Sequence, residues 1–277
     1  MRFGVIGNVK KPRTFEVLRT LESLLNDGEA VLDAGLADFF SSEKFEFVPI
    51  EQIADVSDAI IVIGGDGTFL KAARYSKGKP LTGINLGRVG FLTTFDEQDL
   101  PLIIKRFRNG EFDVERRMGV ACERLVNNQK FWGLNEIVLV STSAARILEI
   151  EVSSCGLVVA RLRADGIMVA SPTGSTAYNL AAGGPIIHPT MDALIVTPIC
   201  AHTLTLRPFV LPPDCRVTIT ARSRGGKVLL SADGQDEEMI DNGEAVVFWA
   251  VRNAVSIAKF PESPEFFELL KAKFRWG

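Results

Sequence analysis

Ala59-Ile60-Ile61-Val62-Ile63-Gly64-Gly65-Asp66-Gly67-Thr68-Phe69-Leu70 is the stretch whose reading decides the fold. Residues 59–63 are apolar without alternation and β-branched from Ile60 to Ile63, which suits a strand buried on both faces of a parallel sheet with helices on either side. Gly64, Gly65 and Gly67 permit positive φ and leave no Cβ to obstruct a ligand approaching the backbone. Thr68–Tyr75 is helix-compatible, so the free N–H groups of a helix N-terminus face the turn and make an anion site, with Gly64, Gly65, Gly67 and Thr68 as its phosphate loop. Asp66 is a negative charge set among groups that attract phosphate. It makes sense there if it accepts a proton from an attacking hydroxyl or helps to hold Mg²⁺. The alternative is an ordinary strand-to-helix turn in which Asp66 caps the helix.

Outward from this stretch, residues 2–7 read as a first strand and Thr14–Leu25 as a helix, with Phe15, Leu18, Leu21, Leu24 and Leu25 at helical spacing and Gly28 ending it. Residues 45–50 and Leu81–Leu86 supply further strands, the second running into Gly87-Arg88-Val89-Gly90, so the sheet is at least four strands wide. Asp99 and Pro101 open a helix that runs to Gly110. An α/β domain over residues 1–112 is expected. From about 113 the period changes to two: Leu148, Ile150 and Val152 alternate with Glu149 and Glu151, and Gly156 turns the chain into Leu157–Leu162. Similar strands are expected at Gly119–Val126, Lys130–Val140, Leu194–Ile199, Arg216–Ala221, Lys227–Ala232 and Ala245–Val251, which makes 113–258 a β-rich second domain. One helical interruption is expected at Thr173–Ala182, and residues 264–277 carry Phe266, Leu269, Leu270, Lys273 and Phe274 in helical order.

A chain of 277 residues is comfortable for two domains, and 47% hydrophobic with 23% charged residues describes a globular protein. No apolar run approaches the ~20 residues needed to cross a bilayer. The N-terminus reads as strand and turn rather than a leader, so a cytoplasmic protein without a membrane partner is expected. A net charge of −3 offers no global attraction for nucleic acid, and anionic substrates must be gathered by local groups. Cys122, Cys155, Cys200 and Cys215 show no paired short spacing, so neither a zinc site nor a disulfide framework is indicated. His188 and His202 are the only histidines, which leaves general-base chemistry mainly to carboxylates.

Other short pieces bear on chemistry. Asn135-Glu136 lies in or beside a strand; an Asn can bond the N6 and N7 edge of adenine and a Glu can accept from two ribose hydroxyls, or the pair is a strand-end Asn with a solvated Glu. Asp165-Gly166 precedes Ser171-Pro172-Thr173-Gly174-Ser175-Thr176-Ala177-Tyr178, a run of small hydroxyl residues with one aromatic able to stack on a base, or a capped surface helix. Asp233-Gly234-Gln235 reads as a turn after a strand, equally a plain hairpin. His202 is either a ligand-facing proton carrier or a hydrogen-bonded structural histidine.

Taken together these pieces resemble the bacterial NAD kinases over nearly the whole chain. The resemblance rests on Gly64-Gly65-Asp66-Gly67-Thr68, Gly83-Ile84-Asn85 to Gly90-Phe91-Leu92, Asn135-Glu136, Asp165-Gly166 with Ser171–Tyr178, Ala182-Gly183-Gly184-Pro185, Ile199–Pro208 and Asp233-Gly234-Gln235. The first motif is shared with phosphofructokinases and diacylglycerol kinases; the order and spacing of the others make the match specific. The resemblance implies an α/β domain, a β-sandwich-like second domain, a C-terminal segment, 259–277, whose helix returns to the first, and a homo-oligomer, usually a tetramer, otherwise a dimer. It implies ATP-dependent phosphorylation of NAD⁺ at the adenosine 2′-hydroxyl, with Mg²⁺ or another divalent metal carried by ATP, no dedicated protein metal cage and no prosthetic group. By the same resemblance Asp66 is the proton acceptor, Gly67 and Lys71 lie along the nucleotide, and Asn135 and Glu136 hold adenosine. Arg146, Arg163, Asp165, Thr176, Ala177, Tyr178, Asn179, Leu180, Ala181, Cys200 and Gln235 fall where that family lines its dinucleotide pocket. Ala181 and Ala201 depart from the family, which often has serine and proline there, so a side-chain hydroxyl contact is absent at Ala181. The rival readings are a lipid kinase sharing the glycine turn, against which Gly83-Ile84-Asn85-Leu86-Gly87-Arg88 replaces that group's second Gly-Asn motif, and a dinucleotide-binding sensor without catalysis, against which Asp66 argues.

Overall fold

The computed structural model describes residues 1–142, 147–202, 205–223 and 227–275. The chain forms two compact units, Met1–Arg116 with the chain from Val255 onward, and Arg117–Ala254. In order the first unit contributes β1 (Phe3–Gly7), α1 (Arg13–Leu24), β2 (Ala30–Asp33), β3 (Glu46–Val48), β4 (Ala59–Gly64), α2 (Asp66–Tyr75), β5 (Pro80–Asn85) and α3 (Leu100–Asn109). Its strands run parallel in the order β5-β4-β1-β2-β3. All of β4 is buried, as its unbroken apolar run requires. Phe3, Val5, Ile61 and Ile63 share one core with Leu18 and Leu21 of α1 and Ile103, Ile104 and Phe107 of α3. Ile60 and Val62 point the other way and are also fully buried, and α2 packs on β4. Complete burial of each such side chain is worth about 1.5–3 kcal/mol. β2 was not anticipated: four residues between Gly28 and Gly35 are too short to display a period.

The second unit follows with β6 (Asp113–Arg124), β7 (Lys130–Gly133), β8 (Glu136–Ser141), β9 (Leu148–Ser154), β10 (Leu157–Ala164), β11 (Gly166–Ala170), α4 (Tyr178–Ala181), β12 (Leu194–Ile199), β13 (Phe209–Leu211), β14 (Val217–Ser223), β15 (Val228–Ala232), β16 (Asp236–Ile240) and β17 (Ala245–Lys259). One sheet carries β10-β9-β14-β17 with β6 and β7, and the other runs β13-β12-β11-β8-β15-β16 with neighbouring strands antiparallel. Val120, Ile150, Val152, Ile219 and Phe248 of the first meet Ile137, Leu139, Ile167, Val169, Val196 and Leu230 of the second in one sandwich core. The last part of β17 belongs to the first unit, pairing parallel with β5 through Ser256↔Pro80 and Ile257↔Leu81. There α5 (Phe266–Phe274) sets Phe266 and Phe274 against the Phe91 ring, with the Lys273 ammonium 5.4 Å from its centroid.

The two compact units divide at 116/117 and 254/255, within the continuous strands β6 and β17, where no turn residue marks the crossing. Other expectations are corrected. Lys130–Val140 is two strands broken at Leu134-Asn135. Thr173–Ala182 is not one helix: a 3₁₀ turn at Thr173–Thr176 is separated from the four-residue α4 by Ala177 at φ −96°, ψ −131°. Asn179 donates its side-chain amide to the Ser175 carbonyl, a bond that competes with helical ones, while Ser175 Oγ donates outside the segment to the Ile187 carbonyl. β11, β13 and β16 are further strands that the pattern did not single out. Among the described residues no helix is long and apolar enough to cross a membrane.

Candidate active site

In the first unit the glycine turn lies at the C-terminal end of β4, where Gly65 is the N-cap of α2 and Asp66 its first residue. None of Gly64, Gly65 and Gly67 uses positive φ, contrary to expectation. Gly64 is needed because Thr68 packs where a Cβ would stand, while a Cβ on Gly65 or Gly67 would meet open space, so it is close approach that these glycines permit. Asp66 is the first helical residue and Gly65 the N-cap, so the N-cap role of the alternative reading falls to a glycine. Its carboxylate instead reaches the loop after β5: Oδ2 accepts from Phe91 N at 2.8 Å, and Oδ1 accepts from Leu92 N and Thr93 N, both at 3.1 Å, and from Thr93 Oγ1 at 3.0 Å. A Cβ on Gly90 would fall inside this carboxylate, so the glycine is dictated by Asp66. Asn85 shapes the same loop by accepting from Gly87 N at 2.6 Å and donating to the Arg88 carbonyl. Lys71 lies farther along α2 with its side chain 51% exposed and a loose 3.9 Å contact to Asp33 Oδ2. The arrangement is a fixed anion beside glycines with open space where a side chain would stand.

In the second unit Asn135 and Glu136 occupy the break between β7 and β8. Both are buried, Glu136 to 8% exposure, and among the described residues its Oε2 finds no hydrogen-bond partner. Burial, and secondarily the Asp233 charge, push its carboxyl up to about 8. The break is held from two sides. Asp233 accepts from Leu134 N, Asn135 N and Glu136 N at 2.7, 2.8 and 3.2 Å. Ser171 donates from N to the Asn135 carbonyl at 2.8 Å and from Oγ to the Leu134 carbonyl at 2.5 Å.

From Ser171 the chain runs along the face of the second sheet: Ala182 packs against the Val138, Met168 and Ile199 cluster near its far end. Along the way Tyr178 is 44% exposed, Ala181 is exposed, and Thr176, Ala177 and Leu180 are half-buried. Asn179 is fully buried, accepting from Thr197 Oγ1 at 2.6 Å and donating to the Ser175 and Pro185 carbonyls, so it supports this segment rather than facing a ligand. Asp165 and Cys200 are exposed at that far end, where Asp165 N donates to the Ile199 carbonyl at 3.0 Å. The register Glu136↔Ala170 and Val140↔Gly166, continued by Ser141 N donating to the Asp165 carbonyl, therefore separates Asp165 from Glu136 by about five residues of strand, ~17 Å. Arg163 points elsewhere, to the outer face of β10, where it pairs with Glu149 at 2.9 Å. His202 is exposed and its N–H donates to the Arg163 carbonyl. Gln235 is exposed on the β15–β16 turn, and Arg146 lies outside the described residues. Sequence reasoning gave no role to Thr93, and Asp233 entered it only through a turn signal and as part of the resemblance motif Asp233-Gly234-Gln235, without a role in forming the site.

Two family models match, the ATP-NAD kinase N-terminal domain over residues 5–112 and the ATP-NAD kinase C-terminal domain over residues 134–260. The chain is 34% identical over 283 residues to the NAD kinase of Chloroherpeton thalassium, covering 100% of this chain and 98% of the relative. It is 35% identical over 282 residues to that of Koribacter versatilis, covering 99% and 98%. Among solved structures, an NAD kinase from Archaeoglobus fulgidus in complex with ATP superposes with a TM-score of 0.76 at 27% identity over 99% of both chains. Yeast NADH kinase complexed with NADH shares the fold with a TM-score of 0.88 at 22% identity, over 100% of this chain and 88% of that one.

Proposed function

The chain belongs to the ATP-NAD kinase family and is a phosphotransferase acting on NAD, and from that premise we propose how its residues divide the work. The acceptor is the adenosine 2′-hydroxyl of NAD⁺, the donor is ATP, and the products are NADP⁺ and ADP. Asn135 and Glu136 hold the adenosine. The observation that carries this assignment is the buried Glu136 Oε2, a strong acceptor that no described protein group satisfies, beside an Asn whose backbone is fixed on two sides. Such an atom is costly unless a ligand donor reaches it.

Asp66 orients the attacking hydroxyl and takes its proton. Three donors already crowd Oδ1, so Oδ2, where Phe91 N donates, is the oxygen that receives it. The open backbone at Gly65 and Gly67, with Lys71 beyond, accommodates donor phosphates. A divalent metal, Mg²⁺ in this reading, comes with ATP and is held largely by phosphate and water, neutralising charge as the phosphoryl group moves. The ATP of the archaeal relative supports the donor assignment.

The lipid-kinase and sensor alternatives find no support, since both halves of the chain match ATP-NAD kinase models. A homo-oligomer, dimer or tetramer, belongs to the same proposal. Asp165 and Cys200 stand about one strand length from Asn135 and Glu136, so a second copy would supply one end of a pocket whose other end is local. A cytoplasmic setting fits four free thiols. The test is NADP⁺ formation from NAD⁺ and ATP with divalent metal: no product from folded protein refutes the reading. A monomer by light scattering that is fully active at nanomolar concentration refutes the assembly.

A further inference from the structure

The β15–β16 turn holds a carboxylate that the phosphoryl transfer itself does not use. Asp233 and Gly234 both have positive φ, 54° and 62°, and this backbone turns the Asp233 side chain under the break between β7 and β8. Three consecutive N–H groups, of Leu134, Asn135 and Glu136, donate to its two oxygens, and Asp233 N donates back to the Glu136 carbonyl at 3.0 Å. Those three N–H groups have left the strand ladder, and without an anion beneath them they would be buried donors lacking an acceptor.

We propose that Asp233 is a positioning residue for the nucleoside: by binding three successive backbone N–H groups it fixes the segment that presents Asn135 and Glu136 to the substrate. The proposal rests on the reading that those two residues hold NAD⁺. Gly133 fits the same device, since a Cβ there would stand 2.7 Å from Asp233 Oδ1 and 2.8 Å from the Glu136 carbonyl oxygen, so the residue before the break must be glycine for the carboxylate to dock. Asp233 also acts on Glu136 through its charge, which favours the neutral carboxyl after burial has done so. The neighbouring β11, β15 and segment 171–176 carry only neutral side chains. The charges attached to these elements are Asp233 itself, Arg117, whose guanidinium donates to Thr173 Oγ1 at 3.4 Å, and Glu237, which accepts from Ser231 Oγ of β15 at 3.2 Å. Glu136 must ionise to accept from ribose hydroxyls, so NAD⁺ binds more tightly as pH rises toward 8.

The experiment measures NADP⁺ formation and NAD⁺ affinity between pH 6 and 9 for the full chain, Asp233→Asn, Gly133→Ala and Glu136→Gln. In Asp233→Asn the KM for NAD⁺ rises about tenfold or more while kcat stays within about threefold, because the interaction lost is one of binding. The rise of affinity with pH also moves to lower pH, which a merely structural role, lowering only the melting temperature, would leave in place. Gly133→Ala displaces the carboxylate without removing it and shows the same rise in KM at kept kcat; it carries the test if Asp233→Asn does not fold. Folded variants with unchanged KM and pH profile, or with kcat reduced at unchanged KM, overturn the proposal. Unchanged NAD⁺ affinity in Glu136→Gln overturns the underlying reading instead.

Discussion

Asp66→Asn tests two roles of one carboxylate, because the structure gives it a clamping duty besides the proposed chemistry. An amide offers one acceptor oxygen and one NH₂ group. If the oxygen keeps the place of Oδ1, with its three donors, the NH₂ faces the Phe91 N–H across 2.8 Å, donor against donor. The bond lost at Phe91 is charge-assisted and worth about 1.5–3 kcal/mol, and the remaining three weaken to roughly half as the charge disappears. These contributions do not add fully, and a loss of about 2–5 kcal/mol in the stability of the loop is expected. On the chemical side, removing a general base lowers kcat by ~10²–10⁴-fold. Gly90→Ala separates the two, since it pushes an intact carboxylate off the loop and should lower both stability and kcat without removing the base. Thr93→Val removes one donor only, at 3.0 Å, and should cost about 1 kcal/mol with kcat nearly kept. The measurements are kcat at saturating NAD⁺ and ATP, NAD⁺ affinity by calorimetry, and urea unfolding. An Asp66→Asn protein as stable as the parent refutes the clamp. One retaining more than about a tenth of kcat refutes the base.

Above pH 8, where Glu136 is ionised, Glu136→Gln should lower NAD⁺ affinity by ~10–100-fold through loss of a charge-assisted acceptor, with calorimetry as the check. The same variant tests the raised carboxyl. The folded protein holds the Glu136 proton up to about 8 whereas the unfolded chain releases it near 4.5, so stability should be highest below that range and fall as pH rises through it. Its full slope is about 1.4 kcal/mol per pH unit; urea unfolding at several pH values should show this slope in the parent and not in Glu136→Gln. Arg124 and Glu244 form a buried fork, Nε to Oε1 at 2.8 Å and Nη2 to Oε2 at 2.9 Å, and the Arg124 bonds hold the Glu244 carboxyl below its ordinary range. Arg124→Ala should cost about 3–5 kcal/mol at neutral pH, while the double change to Met and Leu recovers much of it; a single mutant as stable as the parent would show the pair to be idle. The contribution of Glu244 should fade as pH drops below the ordinary carboxylate range, visible in the same unfolding series.

Local physics was readable where it acts within a few residues. The run Ile60–Ile63 could only be a strand buried on both faces, the glycines after it had to bring a helix close, and the period of two in Leu148–Val152 announced the sandwich. Resemblance supplied the roles of Asp66, Asn135 and Glu136, each of which the sequence left open to a plainer reading. What tertiary structure alone decided was what those side chains touch. Asp66 meets donors 25–27 residues away, and Asp233 meets donors 97–99 residues away, partners that no periodicity encodes. Likewise Lys130–Val140 read as one strand although Asn135 could have marked a strand end, because the break is stable only once a distant carboxylate satisfies the N–H groups it frees.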